Sequence, residues 1–285
     1  MPSTQELNRR IKSVKSTRKI TRAMQLVSAA KMKKSQTIAM NSRKYAHLAW
    51  ELINNVAKAE RQHQLLREYP DAKKIGIVLV TTNRGLVGSF NSNLIKRLIE
   101  EEQKDSTFKT ELIVIGRKGA NTAARLNKTI VADFEKHDAT IPISEIYPIV
   151  KYLTELYNSG EYKNIYFLFN HFVSTLKQET KLKQILPIIP KSEHQTQTIG
   201  TEVIFEPNGQ KVLSHLLPRI LESQLYQAIL ESDASEHSAR MMMMKSATDN
   251  AGELVDDLTL TFNQLRQTKI TTELSEITAG RIALE

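Results

Sequence analysis

Cysteine is absent from the 285-residue chain, which excludes disulfides, thiol catalysis and cysteine-based metal sites. Proline and glycine are scarce at both ends. After Pro2 the next proline is Pro70, and none follows Pro218; glycine is missing before Gly76 and past Gly209 occurs only at Gly252 and Gly280. These two residues break helices. Each breaker-poor end, 67 residues long, therefore reads as one very long helix, approaching roughly 100 Å at about 1.5 Å per residue. No apolar run is long enough for a membrane-spanning helix, and Met1–Arg10 is too polar for a signal peptide. Aromatics are few, with only Tyr45 and Trp50 before Tyr69.

Apolar residues make up 40% of the chain, enough to exclude a disordered protein. The net charge of +9 is unevenly spread. Residues 1–69 carry fifteen Lys and Arg against four acids, whereas residues 219–285 carry six against eleven. A basic first helix and an acidic last helix attract each other when they run side by side. Two separately solvated charged faces give the same composition, since surface ion pairs contribute little.

Leu7, Ile11 and Val14 form a narrow apolar stripe, resumed at Ile20, Met24 and Val27 and again at Leu48, Leu52 and Val56. Ser3 or Thr4 is suited to cap this helix, with Glu6 in its first turn. Arg18 and Thr21 interrupt the stripe, so the seam is not purely apolar. The C-terminal segment repeats the theme at Leu217, Leu221, Leu225 and Ile229, then at Leu254, Leu258, Phe262 and Leu265, and finally at Ile270, Leu274 and Ile277. The polar stretch Arg266–Lys269 breaks it.

The middle alternates strand and helix signals. Buried-strand runs are expected at Ile75–Thr81, Leu112–Gly116, Ile130–Phe134 and Ile165–Phe169, with Lys181–Ile189 and Val203–Phe205 as further candidates. Helices are expected at Asn91–Glu102, Lys118–Leu126 and Ile143–Asn158. The alternation predicts a largely parallel sheet covered by helices. The expected organisation is an N-terminal helix over 1–69, a central α/β domain over 70–210 and a C-terminal helix over 211–285.

Little of this carries chemistry. Thr82–Ser89 lies where a dinucleotide loop would, but its glycines are spaced GxxG, and no acid ends the second strand. Gly116–Gly119 is equally weak, and no phosphate-cradling GxxxxGK[ST] occurs. His171, His215 and His237 lack metal-ligand spacing. Glu273 and Glu276 share a helix face, which on a long helix reads as a solvated or partner-binding face rather than an acid–base pair. Met241–Met244 supplies soft packing. A nucleic-acid-binding coiled coil using the basic first helix, and a nucleotide-dependent enzyme using the middle, stay open on these grounds.

Both ends carry longer signatures. Ile20-Thr21-Arg22-Ala23-Met24 is followed by Val27-Ser28-Ala29-Ala30-Lys31-Met32. Near the other end stand Ala234–Met241, Lys245–Ala251, Arg266-Gln267 and Ile270–Ile277, and in the middle Arg84-Gly85-Leu86 with Gly88 and Asn91-Ser92-Asn93. In these motifs, in their order and over nearly its whole length, the chain resembles the gamma-subunit family of F-type ATP synthases.

The resemblance implies an antiparallel coiled coil of the terminal helices with a central Rossmann-like α/β domain. It implies a rotor shaft inside a hexamer of alpha and beta subunits, one copy per complex, with a foot resting beside epsilon on the c-ring. Ion flow turns the ring, and the asymmetric shaft drives the beta subunits through their states. No catalytic residue, cofactor or metal is implied, nor a nucleic-acid partner or a membrane span. The implied location is peripheral, on the cytoplasmic face of a bacterial inner membrane. Carried over by motif as contacts to the hexamer are Met24, Arg240, Arg266, Gln267, Thr271, Glu273 and Glu276, with lesser support for Lys31 and Lys34. Arg84, Gly85 and Asn91 mark a foot loop toward the base of the stalk. The chain departs from the family pattern at Asn83, Thr268, Lys269 and Arg281.

Overall fold

A computed structural model describes residues 3–59, 63–104, 107–136, 142–189 and 209–282, with the side chains of 42–59, 209, 210 and 280 left aside. The expected strand at Val203–Phe205 and the stripe at Leu48, Leu52 and Val56 lie outside the described residues, as do the side chains of Tyr45 and Trp50. The chain forms two compact units: residues 1–29 with 240–285, and residues 30–239. Two long helices, α1 (Thr4–Ala59) and α5 (Gly209–Ile282), contribute to both. No described helix is long and apolar enough to cross a membrane.

The 30–239 unit is built on a five-stranded sheet in the order β3-β2-β1-β4-β5. Its strands are β1 (Lys74–Val80), β2 (Lys109–Ile115), β3 (Ile130–Phe134), β4 (Tyr162–Phe172) and β5 (Gln178–Leu186). The first four are parallel. They are linked through α2 (Phe90–Lys104), α3 (Arg117–Arg125) and α4 (Ile146–Asn158). β5 runs antiparallel to β4, because a short turn at Val173–Lys177 closes a hairpin and leaves no room for a crossover helix.

Side chains alternate across a strand, so the sheet buries two faces. Val78, Val80, Ile113 and Ile115 point to a layer made by α4 and α5. Ile77, Leu79, Leu112 and Val114 point to α2 and α3. Leu217, Leu221, Leu225 and Ile229 are all buried in the first of these layers. Their four-residue spacing suggests a coiled-coil stripe; in the structure it is instead the face that α5 lays on the sheet. α5 also begins before Pro218 and passes through it. Proline withholds one helical hydrogen bond, and the buried anchors Leu213, Leu217 and Leu221 hold the helix down on both sides.

In the other unit α1 and α5 pair. Ser3 caps α1 by accepting from Glu6 N (3.1 Å). The hydroxyls of Thr21 and Thr248 lie 2.8 Å apart. Arg18 lies over Gly252, close enough that an added Cβ would sit 3.3 Å from its guanidinium. Together these contacts set an antiparallel register. On α5 the buried or half-buried positions Met244, Thr248, Ala251, Val255, Leu258, Phe262 and Leu265 alternate steps of four and three, the spacing of a knobs-into-holes seam. On α1 the matching series is Leu7, Ile11, Val14, Arg18, Thr21, Gln25 and Ser28, buried or half-buried except for the exposed Arg18. The expected continuation through Ile20 and Val27 is corrected: they are 58% and 56% exposed. The polar Arg18 and Thr21 keep the phase, and the apolar residues beside them do not.

Candidate functional site

The register places the start of α1, Thr4, level with Leu265. Beyond Leu265, α5 continues to Ile282 with no described segment opposite it, a length of roughly 25 Å at about 1.5 Å per residue. Every described side chain from Arg266 to Ile282 is exposed. That stretch includes Ile270, Leu274, Ile277 and Ile282, at 44%, 59%, 70% and 70%. Ile270, Leu274 and Ile277 stand four and three residues apart, so they form one uncovered apolar stripe on a free helix.

Arg266, Gln267, Thr271, Glu273 and Glu276 all lie on this overhang and are exposed. Their local bonding stays on the helix. Thr271 donates to the Gln267 carbonyl (3.0 Å), and Lys269 and Glu273 stand 3.6 Å apart. Met24 and Arg240 belong to the same unit but not to the overhang; both are half-buried. Met24 lies level with about Lys245, a full five turns of α5 from Leu265.

Arg84 and Gly85 lie in the loop between β1 and α2, and Asn91 in the first turn of α2, all within the 30–239 unit. The loop is braced locally. The Asn91 amide donates to Thr82 Oγ1 (2.8 Å) and accepts from Thr82 N (3.3 Å), while Thr82 Oγ1 donates to the Arg84 carbonyl (2.8 Å). This holds Leu86 at φ 63° and 60% exposed, a left-handed conformation that a leucine adopts only under constraint.

The same loop closes the place where a dinucleotide phosphate would sit. The first N–H groups of α3 are already taken: Arg117 N donates to Asn83 Oδ1 (3.2 Å), Lys118 N to the Thr82 carbonyl (2.9 Å) and Gly119 N to Thr81 Oγ1 (2.9 Å). Anion binding at a helix start needs those donors free. Gly116, at φ 107°, allows the tight approach, because a Cβ there would lie 2.6 Å from the Thr81 carbonyl. Among the described residues no group of His, Asp and Glu is placed to hold a metal ion.

Sequence reasoning missed one buried ionic cluster. Lys136, just past β3, is 3% exposed, and its ammonium lies 2.7 Å from Asp233 Oδ1 and 2.8 Å from Glu236 Oε2 on α5. Burial works against its charge, yet the two carboxylates hold it above the ordinary lysine range. Burial pushes Asp233 up to about 6 against the pull of Lys136, with Glu236 adding repulsion and Lys31 a weaker attraction. The one signal in the sequence is the largely polar run Ser232–Ser238, between the leucine-rich stretch to Leu230 and the methionines Met241–Met244 of one helix.

With this geometry in hand, likeness to known proteins is informative. Residues 3–284 match the family model described as ATP synthase. The ATP synthase gamma chain of Roseiflexus castenholzii is 40% identical over 291 aligned residues, covering 100% of this chain and 99% of the relative. That of Legionella pneumophila is 38% identical, covering 100% of both. Among solved structures, a chain of the Euglena gracilis mitochondrial ATP synthase superposes with a TM-score of 0.67 at 16% identity, covering 99% of this chain and 94% of its own. A chain of the Tetrahymena thermophila central stalk and c-ring gives 0.61 at 22% identity, covering 80% and 99%. These last two establish likeness of fold.

Proposed function

The chain belongs to the ATP synthase gamma chain family, and from that premise we propose that it is a central-stalk rotor subunit. It carries torque between a membrane c-ring and a hexamer of alpha and beta subunits. The observation that carries this reading is the overhang of α5. In proteins most helical stability comes from packing of an apolar face rather than from intrinsic propensity. The stripe Ile270-Leu274-Ile277 has no such packing among the described residues. A surrounding ring of subunits supplies it.

In this reading Arg266, Gln267, Thr271, Glu273 and Glu276 bear on the hexamer from inside, and Met24 and Arg240 bear on it lower down the shaft. Arg84, Gly85 and Asn91 belong to the foot, which sits with epsilon on the c-ring. The working division is 1–69 and 211–285 as the segments that supply the shaft helices and 70–210 as foot, with Leu213–Ile229 of α5 packed on the foot's sheet. The chain makes and breaks no bonds itself. A shaft couples only by contacting the states of its neighbours unequally, and one asymmetric helix pair inside a three-fold ring does this at every angle. It is placed peripherally, on the cytoplasmic face of a bacterial inner membrane. No observation favours the nucleic-acid-binding alternative.

Co-expression with alpha and beta subunits tests the assignment. One copy of the chain per hexamer, with cooperative ATPase activity that is lost without it, is expected. A chain that purifies apart from the hexamer, or with nucleic acid, would refute it.

A further inference from the structure

Within the 30–239 unit, α5 meets the sheet in two chemically different zones. From Leu213 to Ile229 the side chains that enter the core are apolar (Leu213, Leu217, Ile220, Leu221, Leu225, Ala228 and Ile229); Glu222, Ser223 and Gln224 are buried on the same stretch, and Glu222 pairs with Arg219 of its own helix (2.9 Å). From Glu231 to Ser238 it is polar, and most of its side chains are buried as well. Glu231 pairs with His171 of β4. Asp233 and Glu236 flank the Lys136 ammonium. Ser235 donates to the Asn170 carbonyl (3.0 Å), and Ser238 to the Thr175 carbonyl (2.7 Å). These bonds reach the C-terminal ends of β3 and β4 within about two turns of helix.

The two zones resist motion differently. Apolar burial carries no bond angles to satisfy, so it resists a small roll of the helix only through packing and through the apolar area that a larger roll would expose. Hydrogen bonds, including the charge-assisted ones that join an ion pair, weaken steeply once distance and angle are lost. A buried ionic cluster is also a poor device for stability, since apolar side chains of similar volume serve as well or better. Lys136 has a second attachment: its carbonyl accepts from the Asn83 side chain, which also holds Arg117 N. One residue thus joins α5 to the end of β3, the braced β1–α2 loop and the start of α3.

We propose that Glu231–Ser238 forms a polar collar that keys α5 to the sheet against rotation about the helix axis, with Lys136 as its central positioning residue. This deepens the rotor assignment and rests on it. Torque entering through the α/β domain passes into α5 at the collar, where directional bonds prevent the helix from turning within its apolar bed.

The test uses complete ATP synthase in vesicles. The apolar replacement Lys136→Met with Asp233→Leu and Glu236→Met is compared with Lys136→Arg and with wild type. ATP hydrolysis, ATP-driven ion pumping, melting temperature and the stall torque of a bead fixed to the α/β domain are recorded. The triple variant is expected to keep its melting temperature and hydrolysis rate while losing pumping per ATP and stall torque; Lys136→Arg retains both. Unchanged pumping and torque in the folded triple variant would overturn the collar. If that variant does not assemble, Ser235→Ala with Ser238→Ala takes its place. A lowered stall torque at unchanged hydrolysis then supports the collar, and an unchanged torque overturns it. Failure of the rotor assignment is distinct, because the wild-type chain itself would then drive no rotation.

Discussion

The side chains of Thr21 and Thr248, 227 positions apart in the sequence, touch hydroxyl to hydroxyl at 2.8 Å. Thr21 donates to the Arg18 carbonyl (3.0 Å), and the single Thr248 proton is shared between the Met244 carbonyl (2.7 Å) and the Thr21 oxygen. Two short side chains meet this way only where helices approach closely, and Gly252 one turn along provides the room.

That contact predicts a crosslink. The chain has no cysteine to interfere. A Thr21→Cys, Thr248→Cys pair should oxidise to a disulfide, since oxygens this close put the Cβ atoms near the spacing of about 3.8 Å that a disulfide needs. A Met24→Cys, Leu265→Cys pair, one turn from a seam residue at one end and in the seam at the other, should stay reduced. Mobility on non-reducing gels reads both, and a crosslink only in the second pair would mean the register is wrong.

Two glycines should respond oppositely to alanine. At Gly119 the new Cβ would lie 2.5 Å from Thr81 Oγ1 and 2.9 Å from Val114 Cγ1, both on buried residues. Gly119→Ala should therefore destabilise by about 1–3 kcal/mol, the usual cost of overpacking. At Gly252 the new Cβ meets only the mobile end of Arg18. The arginine can swing away, and alanine gains helix propensity, so Gly252→Ala should change stability by less than about 1 kcal/mol. Denaturant melts of the two variants decide this.

Acid should favour the 30–239 unit through Asp233. Its folded pKa is raised to about 6. A raised carboxyl contributes stability that is complete below its ordinary pKa and is lost as pH climbs through the folded value. The groups that set this are Lys136, Glu236 and Lys31, and the Tyr226 hydroxyl senses the same charge. Other carboxylates impose their own slopes, so the measurement is a difference. Wild type should lose stability relative to Asp233→Asn as pH rises from about 4 to 7. Parallel stability curves over that range would rule the cluster out as the source.

How legible this was depended on the range of each interaction. Helix ends and strands follow from nearest neighbours, and the missing prolines marked both long helices. Leu7, Ile11 and Val14 found the seam because they repeat in steps of four and three. Ile20 and Val27 misled because they are apolar in the wrong phase, while Arg18 and Thr21 hold the phase and are polar. Leu217–Ile229 had the right period but the wrong partner, since a four-residue stripe fits a sheet as well as a helix. Pro218 lies inside the helix expected over 211–285, and tertiary packing on both sides of it holds the helix through the missing hydrogen bond. Lys136 and Glu236, a hundred residues apart, had no local signature. Of the overhang, the sequence showed the polar break at Arg266–Lys269, but its exposure depends on where α1 begins.

The overhang separates folding from function. Arg266 and Gln267 are exposed, and neither side chain takes part in the seam. Surface substitutions of this kind usually shift stability by no more than about 0.5 kcal/mol. Arg266→Glu with Gln267→Ala should thus melt with wild type and keep the α/β domain intact. If the overhang bears on the hexamer, reversing its charge alters each contact with the ring as the shaft turns, and unequal contacts are what couple the states. ATP-driven ion pumping should fall while the isolated chain folds normally. Pumping equal to wild type in an assembled complex would remove these two residues from the bearing and leave the exposed stripe Ile270-Leu274-Ile277 to carry it. Ile270→Gln with Leu274→Gln is the matching probe: it removes that apolar surface, leaves the seam below Leu265 untouched, and should weaken assembly with the hexamer without lowering the melting temperature of the free chain.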